Sequence, residues 1–66
     1  MRPLKKDEED WIVRLIPAGH QGWERLSDAE RRFFVEMEVR FRVRGREIRL
    51  SPKQWGIITD ISEKVL

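Results

Sequence analysis

The stretch SDAERRFFVEMEVRFRVRG, residues 27–45, decides the fold of this chain because it fits two different secondary structures. It opens with Ser27-Asp-Ala-Glu30, a capping box in which the serine hydroxyl and the glutamate carboxylate each satisfy a free backbone N–H at a helix start. At helical spacing, four apolar residues share a stripe about 100° wide: Phe33, Phe34, Met37 and Phe41. These features predict a helix from about Asp28, with Gly45 as its C-cap.

The same stretch also alternates in the manner of a β-strand. The apolar positions of this alternation are Val35, Met37, Val39, Phe41 and Val43. A period of two is typical of a half-buried strand, and Arg44-Gly45-Arg46-Glu47 would then form a hairpin turn. We favour the helix because the capping box commits the chain before the alternation begins. The alternative is an α+β fold with a hairpin at about 35–50, followed by a C-terminal helix.

A first helix is predicted over residues 7–16. Asp7-Glu8-Glu9-Asp10 places negative charge where a helix N-terminus favours it. The apolar spacing that follows stops at Pro17, since the residue before a proline avoids the α region. Residues 1–6 are predicted to be a frayed basic terminus, and residues 17–22 a loop.

A third helix is predicted over residues 52–65. Ser51-Pro52-Lys53-Gln54 forms a second capping box with proline at the first helical position. The sequence therefore predicts one small all-α domain of three helices spanning residues 1–66. The expected core residues are Trp11, Leu15, Phe34, Met37, Phe41, Trp55, Ile58 and Ile61.

The composition indicates which interactions can stabilise the fold and in which cellular compartment the protein is expected. A chain of 66 residues without cysteine has neither disulfides nor thiolate metal ligands, so the apolar core or an oligomer interface must hold it together. No run approaches the roughly 20 apolar residues of a membrane span, and the start turns acidic where a signal peptide would turn apolar. We expect a cytoplasmic protein with no membrane partner.

Basic charge is concentrated in one segment. Residues 1–39 carry a net charge of −2, whereas residues 40–54 carry six basic groups and one acidic group, a net of +5. The basic side chains are Arg40, Arg42, Arg44, Arg46, Arg49 and Lys53. Arginine suits bidentate contact with phosphate or carboxylate. These six residues are the candidate nucleic-acid-binding residues. The alternative interpretations are a solvated surface, and an acidic protein partner or an oligomer interface.

No enzyme signature accompanies this segment. The chain has one histidine, His20, placed by the prediction in a surface loop, and the obvious serines, Ser27 and Ser51, act as helix caps. We expect no catalytic residues, no metal and no cofactor. Of the three tryptophans, Trp11 and Trp55 lie on predicted apolar faces, and Trp23 is expected to be partly exposed.

Two resemblances bear on function. The segment from Trp23-Glu24 through Phe33-Phe34 to Leu50-Ser51-Pro52-Lys53-Gln54-Trp55 resembles small helical accessory proteins of phages and bacterial mobile elements. That resemblance implies an all-helical fold and a role near nucleic acid. Residues 45–54 are similar to the hairpin-to-helix junction of response-regulator winged-helix domains, without the recognition helix or wing, and keep the hairpin alternative open.

We therefore expect a non-enzymatic, nucleic-acid-associated module that presents its arginine-rich segment to the phosphates of DNA or RNA. The competing hypothesis is a protein-interaction adaptor or a homo-oligomer. It rests on the second apolar stripe of the central helix, formed by Val35, Val39 and Val43.

Overall fold

A computed structural model describes residues 2–66 and contains three α-helices and two short 3₁₀ turns. The helices are α1 (Lys6–Gln21), α2 (Asp28–Arg44) and α3 (Pro52–Val65). The 3₁₀ turns, Trp23–Arg25 and Gly45–Glu47, follow α1 and α2 respectively. No strand occurs within residues 2–66, so the predicted all-α fold is confirmed and the hairpin alternative is wrong.

The ends of α2 are the ones that the sequence predicts. Ser27 Oγ accepts a hydrogen bond from Glu30 N at 3.2 Å, and Ser27 N donates to Glu30 Oε1 at 2.7 Å. Gly45 ends the helix with a φ of 57°, and its N–H still donates to the carbonyl of Phe41. A positive φ is the conformation that glycine adopts at no steric cost.

The capping box of α3 is also confirmed. Gln54 N donates to Ser51 Oγ at 3.2 Å, and Ser51 N donates to Gln54 Oε1 at 2.8 Å. Pro52 occupies the first turn, where the lack of an N–H is harmless.

The predicted end of α1 is wrong. The helix continues through Pro17 to Gln21, so the predicted loop at 17–22 is largely helical. An interior proline removes one backbone hydrogen bond, here to the carbonyl of Val13. Val13 and Pro17 both lie on the exposed side of α1, where water can solvate that carbonyl. The turn beyond the proline is held by packing, since Gly19 is buried.

The core lies between the three helices and includes the segments that join them. Its buried apolar residues are Leu4, Ile12, Leu15, Leu26, Phe34, Met37, Ile48, Leu50, Ile58 and Ile61. Five of the eight predicted core residues are among them, and Trp11, Phe41 and Trp55 pack against this cluster while partly exposed. The rings of Trp11 and Trp55 stack with their centroids 5.5 Å apart.

The N-terminal segment packs onto this core, whereas the sequence predicts a frayed terminus. Leu4 is 2% exposed, and its N–H donates to the carbonyl of Arg46 at 2.8 Å. Glu8 caps α1 by pairing with Arg2 and accepting from Lys5 N, and these contacts lower the pKa of its carboxyl to about 2. A buried leucine and the cap formed by the Glu8 carboxylate therefore hold residues 2–6. Met1 lies outside the described residues.

Candidate phosphate-binding surface

Three of the candidate arginines meet where α2 ends. Arg40 and Arg44 are four residues apart in α2 and thus share one helix face. Beyond Gly45 the chain reverses, and the buried side chains of Ile48 and Leu50 anchor the connector to the core. Arg49, between these two anchors, is exposed on the same side of the molecule as Arg40 and Arg44.

These three arginines line one open surface cavity of about 200 Å³. The cavity lining also includes Glu47 and Ile48, so three basic residues and one acidic residue line it. We call Arg40, Arg44 and Arg49 the arginine cluster. Guanidinium groups that converge on one depression can hold a phosphate or carboxylate through paired N–H donors. The excess of positive charge favours an anionic ligand.

Arg42 points to a different partner. Its Nη2 donates to Glu38 Oε2 at 2.6 Å, and Glu38 Oε1 lies 2.7 Å from Nε2 of His20 on α1. Glu38 is only 8% exposed, so its two polar neighbours compensate a nearly buried carboxylate. The structure thus places Arg42 in a contact that joins α2 to α1.

The position of His20 differs from the predicted one. The sequence predicts a loop residue, but His20 lies in the last turn of α1, with its ring 5.3 Å from that of Phe34. Trp23, partly exposed as expected, packs its ring edge-on against Phe34 with the ring centroids 6.0 Å apart, and the Arg31 guanidinium lies over the Trp23 ring, 5.3 Å from its centroid. His20 and Trp23 therefore belong to the packing of the α1 end.

Arg46 and Lys53 are exposed but do not line the cavity. Arg46 lies in the 3₁₀ turn, and its backbone carbonyl holds Leu4. Lys53 lies in the first turn of α3. Both side chains can add positive charge around the arginine cluster.

The N-terminus of α3 contributes little to an anion site. Of its first four backbone positions, Pro52 has no N–H, and Ser51 and Gln54 donate to each other's side chains. Only the N–H of Lys53 is left for a ligand, whereas the free N-terminus of a helix offers four. The capping box at Ser51 and Gln54 thus occupies most of the N–H groups that this helix end could offer to an anion.

The sequence does not reveal how the six basic residues divide. In the sequence, Arg40, Arg42 and Arg44 recur at every second residue and look equivalent. In a helix, however, residues two apart lie on different faces, so Arg42 lies away from the face that Arg40 and Arg44 share. Glu47 and Ile48 were missed as neighbours of the cluster. Alternation of Ile48 and Leu50 with Arg49 is the signal that could have indicated an anchored connector with an outward arginine.

Within residues 2–66, no group of three or more histidine, cysteine, aspartate or glutamate side chains is arranged to hold a metal ion. No described helix has the length and apolar character needed to cross a membrane.

Comparison of the chain with protein-family models, with curated proteins and with solved structures finds no match. The resemblances to phage accessory proteins and to winged-helix domains therefore stay predictions.

Proposed function

We propose that this protein is a non-enzymatic module that binds the phosphate backbone of a nucleic acid through the arginine cluster. The observation that carries the proposal is the convergence of Arg40, Arg44 and Arg49 on one cavity. Arg46 and Lys53, exposed nearby, would meet further phosphates. Arg42 keeps its structural contact with Glu38.

Energetics favour a ligand for these side chains over a purely structural role. Exposed ion pairs stabilise a fold by only about 0–1 kcal/mol each, so a fold gains little from three arginines around one depression. Each phosphate neutralised by an arginine instead releases condensed counterions and strengthens binding at low salt. Nucleic acid is favoured over an acidic peptide because every nucleotide of its backbone carries a charge, so the cluster, Arg46 and Lys53 could each meet a phosphate.

The test is fluorescence anisotropy with labelled single- and double-stranded DNA and RNA of about 20 nucleotides, at several salt concentrations between about 50 and 200 mM. We compare the wild type with Arg44→Gln/Arg49→Gln. Two lost phosphate contacts should make the slope of log K against log salt shallower by about 2 on duplex DNA.

The matched control is Arg14→Gln/Arg25→Gln, which removes the same charge from exposed positions on α1 and in the 3₁₀ turn that precedes α2, whereas the cluster lies where α2 ends. It should bind nearly as the wild type does. Absence of wild-type binding at low salt, or equal weakening by both double variants, would overturn the proposal. Competition by polyglutamate as effective as that by unlabelled DNA, at equal charge, would assign the cluster to an acidic protein partner instead.

A further inference from the structure

A line of exposed valines runs along the side of α2 that faces away from the core. Val35, Val39 and Val43 are 47%, 56% and 78% exposed, and they are spaced four residues apart. They make up three of the five large hydrophobic residues that the described chain leaves exposed. We call them the valine ridge. Such a concentration of apolar surface on one helix face marks an interaction site.

The residue type of the ridge also indicates a partner surface. β-Branched residues are poorer helix formers than alanine, leucine or glutamate, because the helix restricts their side chains. Three of them on a solvated helix face weaken the isolated monomer without filling its core. They gain stability only when another surface covers them.

A groove beside the ridge has the shape to receive a second ridge. Residues four apart form rows along a helix, and the row next to the ridge contains Glu36 and Arg40. The groove between the two rows opens into a surface cavity of about 560 Å³ lined by Val35, Glu36, Val39, Arg40 and Gln54. Interlocking of such rows is the commonest way in which two helices pack. The ridge and its own groove are therefore suited to each other across a two-fold axis.

Charge decides the direction of the two helices. In a parallel two-fold pair, the row that contains Glu36 and Arg40 would lie on opposite sides of the contact in the two copies, so these residues would not face each other. In an antiparallel pair centred near Val39, Glu36 of one copy faces Arg40 of the other, and this contact occurs twice. Neither Glu36 nor Arg40 forms an ion pair within residues 2–66, so both are available for such a contact.

We infer that the protein forms an antiparallel, two-fold symmetric homodimer through the valine ridge of α2, with Glu36 pairing with Arg40 of the second copy. This inference goes beyond the proposed function and does not rest on it. Arg44 and Arg49 lie beyond the C-terminal end of the contact, so the dimer would present these two arginines at each end of its helix pair, while Arg40 would be engaged by Glu36 of the other copy.

The test is sedimentation equilibrium without nucleic acid, at protein concentrations from about 1 µM to 1 mM. The wild type should approach twice the 8.0 kDa mass of the chain. Val39→Glu enters the interface in both copies and should raise the dimer dissociation constant by about 100-fold or more.

The matched control is Val13→Glu, because Val13 is 53% exposed on α1 and receives the same chemical change away from the ridge. It should dimerise as the wild type does. A wild type that stays monomeric at 1 mM, or equal loss of dimer in both variants, would overturn the inference.

A charge exchange tests the direction of the helices. Glu36→Arg and Arg40→Glu alone should each weaken the dimer by about 10-fold, because like charges then meet across the axis. The double exchange should restore an association close to that of the wild type. Failure of the double variant to recover would rule out the antiparallel arrangement, because only there do these two residues face each other.

Discussion

The ring of Phe34 lies directly against the backbone of α1 at Gly19. A Cβ atom built on Gly19 would stand 2.4 Å from both Cε1 and Cζ of that ring. Phe34 is completely buried, so the ring has no open space into which it could move. The contact lets α1 and α2 approach each other at a point where the sequence suggests only a flexible loop.

Gly19→Ala should therefore destabilise the protein by about 1–2 kcal/mol, because overpacking outweighs the better helix propensity of alanine. Gly56, in α3, is the matched control, since a Cβ there meets nothing within 4 Å. Gly56→Ala should stabilise by about 0.5–1 kcal/mol. Urea and thermal unfolding of both variants measure the difference, with a shift in Tm of about 4–8 °C per kcal/mol for a domain of this size. Shifts of the same sign in both variants would contradict the packing described for Gly19.

Pro17→Ala tests whether the helix truly continues beyond residue 16. In an uninterrupted α1, alanine at this position supplies the missing N–H to the Val13 carbonyl and removes the clash of the proline ring. The loss of proline also frees the unfolded chain, which offsets part of this gain. We expect a net stabilisation of about 1–2 kcal/mol in urea unfolding, with slightly stronger helical circular dichroism. If α1 ended at Ile16, the substitution would be neutral or destabilising.

The features that the sequence predicts correctly are local ones. The capping boxes at Ser27 and Ser51 and the glycine at position 45 each determine a helix end through contacts within four residues. All the groups that form these helix ends lie close together in the sequence. These local contacts favour the helix over the strand that the alternation of residues 35–43 suggests, because a hairpin would need cross-strand contacts between more distant residues.

The features that the sequence misses depend on distant residues. The continuation of α1 through Pro17 depends on Phe34, and the order of the N-terminal segment depends on the carbonyl of Arg46. The division of the basic residues has the same origin, because only the packed structure brings Arg49 beside Arg40. Charge counting identifies the basic segment but not which of its members share a surface.

Leu4→Ala tests the packing of the N-terminal segment. Leu4 is 2% exposed in the core, so its truncation should destabilise the fold by about 2–3 kcal/mol through lost burial and a residual cavity. Leu66→Ala is the control with the same chemical change at a position that is 58% exposed, and it should have an effect below about 0.5 kcal/mol. Both are measured by urea unfolding at constant pH. Equal, small effects would mean that residues 2–5 are frayed in solution.

Glu30 gives the fold a defined sensitivity to acid. Its carboxylate accepts from Lys64 Nζ at 2.7 Å and from Ser27 N, and so ties the start of α2 to the end of α3. The ion-paired hydrogen bond from Lys64, followed by the bond from Ser27, lowers the pKa of the Glu30 carboxyl below its ordinary value of 4.5. The unfolded chain then binds the proton more readily than the folded one. The stabilisation by this group is complete above pH 4.5 and is lost as the pH falls through the lowered pKa.

Glu30→Gln should reduce stability at pH 7 by about 1–2 kcal/mol, because a charge-assisted hydrogen bond is lost from a site that is little exposed. The loss relative to the wild type should shrink below pH 4.5, where the wild-type carboxylate itself becomes protonated. The measurement is urea unfolding of both proteins at a series of pH values between about 2 and 7. Glu24→Gln, at an exposed position, is the control and should follow the wild-type curve. A Glu30→Gln variant that ran parallel to the wild type at every pH would contradict the assigned contact, because the glutamate would then titrate equally in the folded and unfolded states.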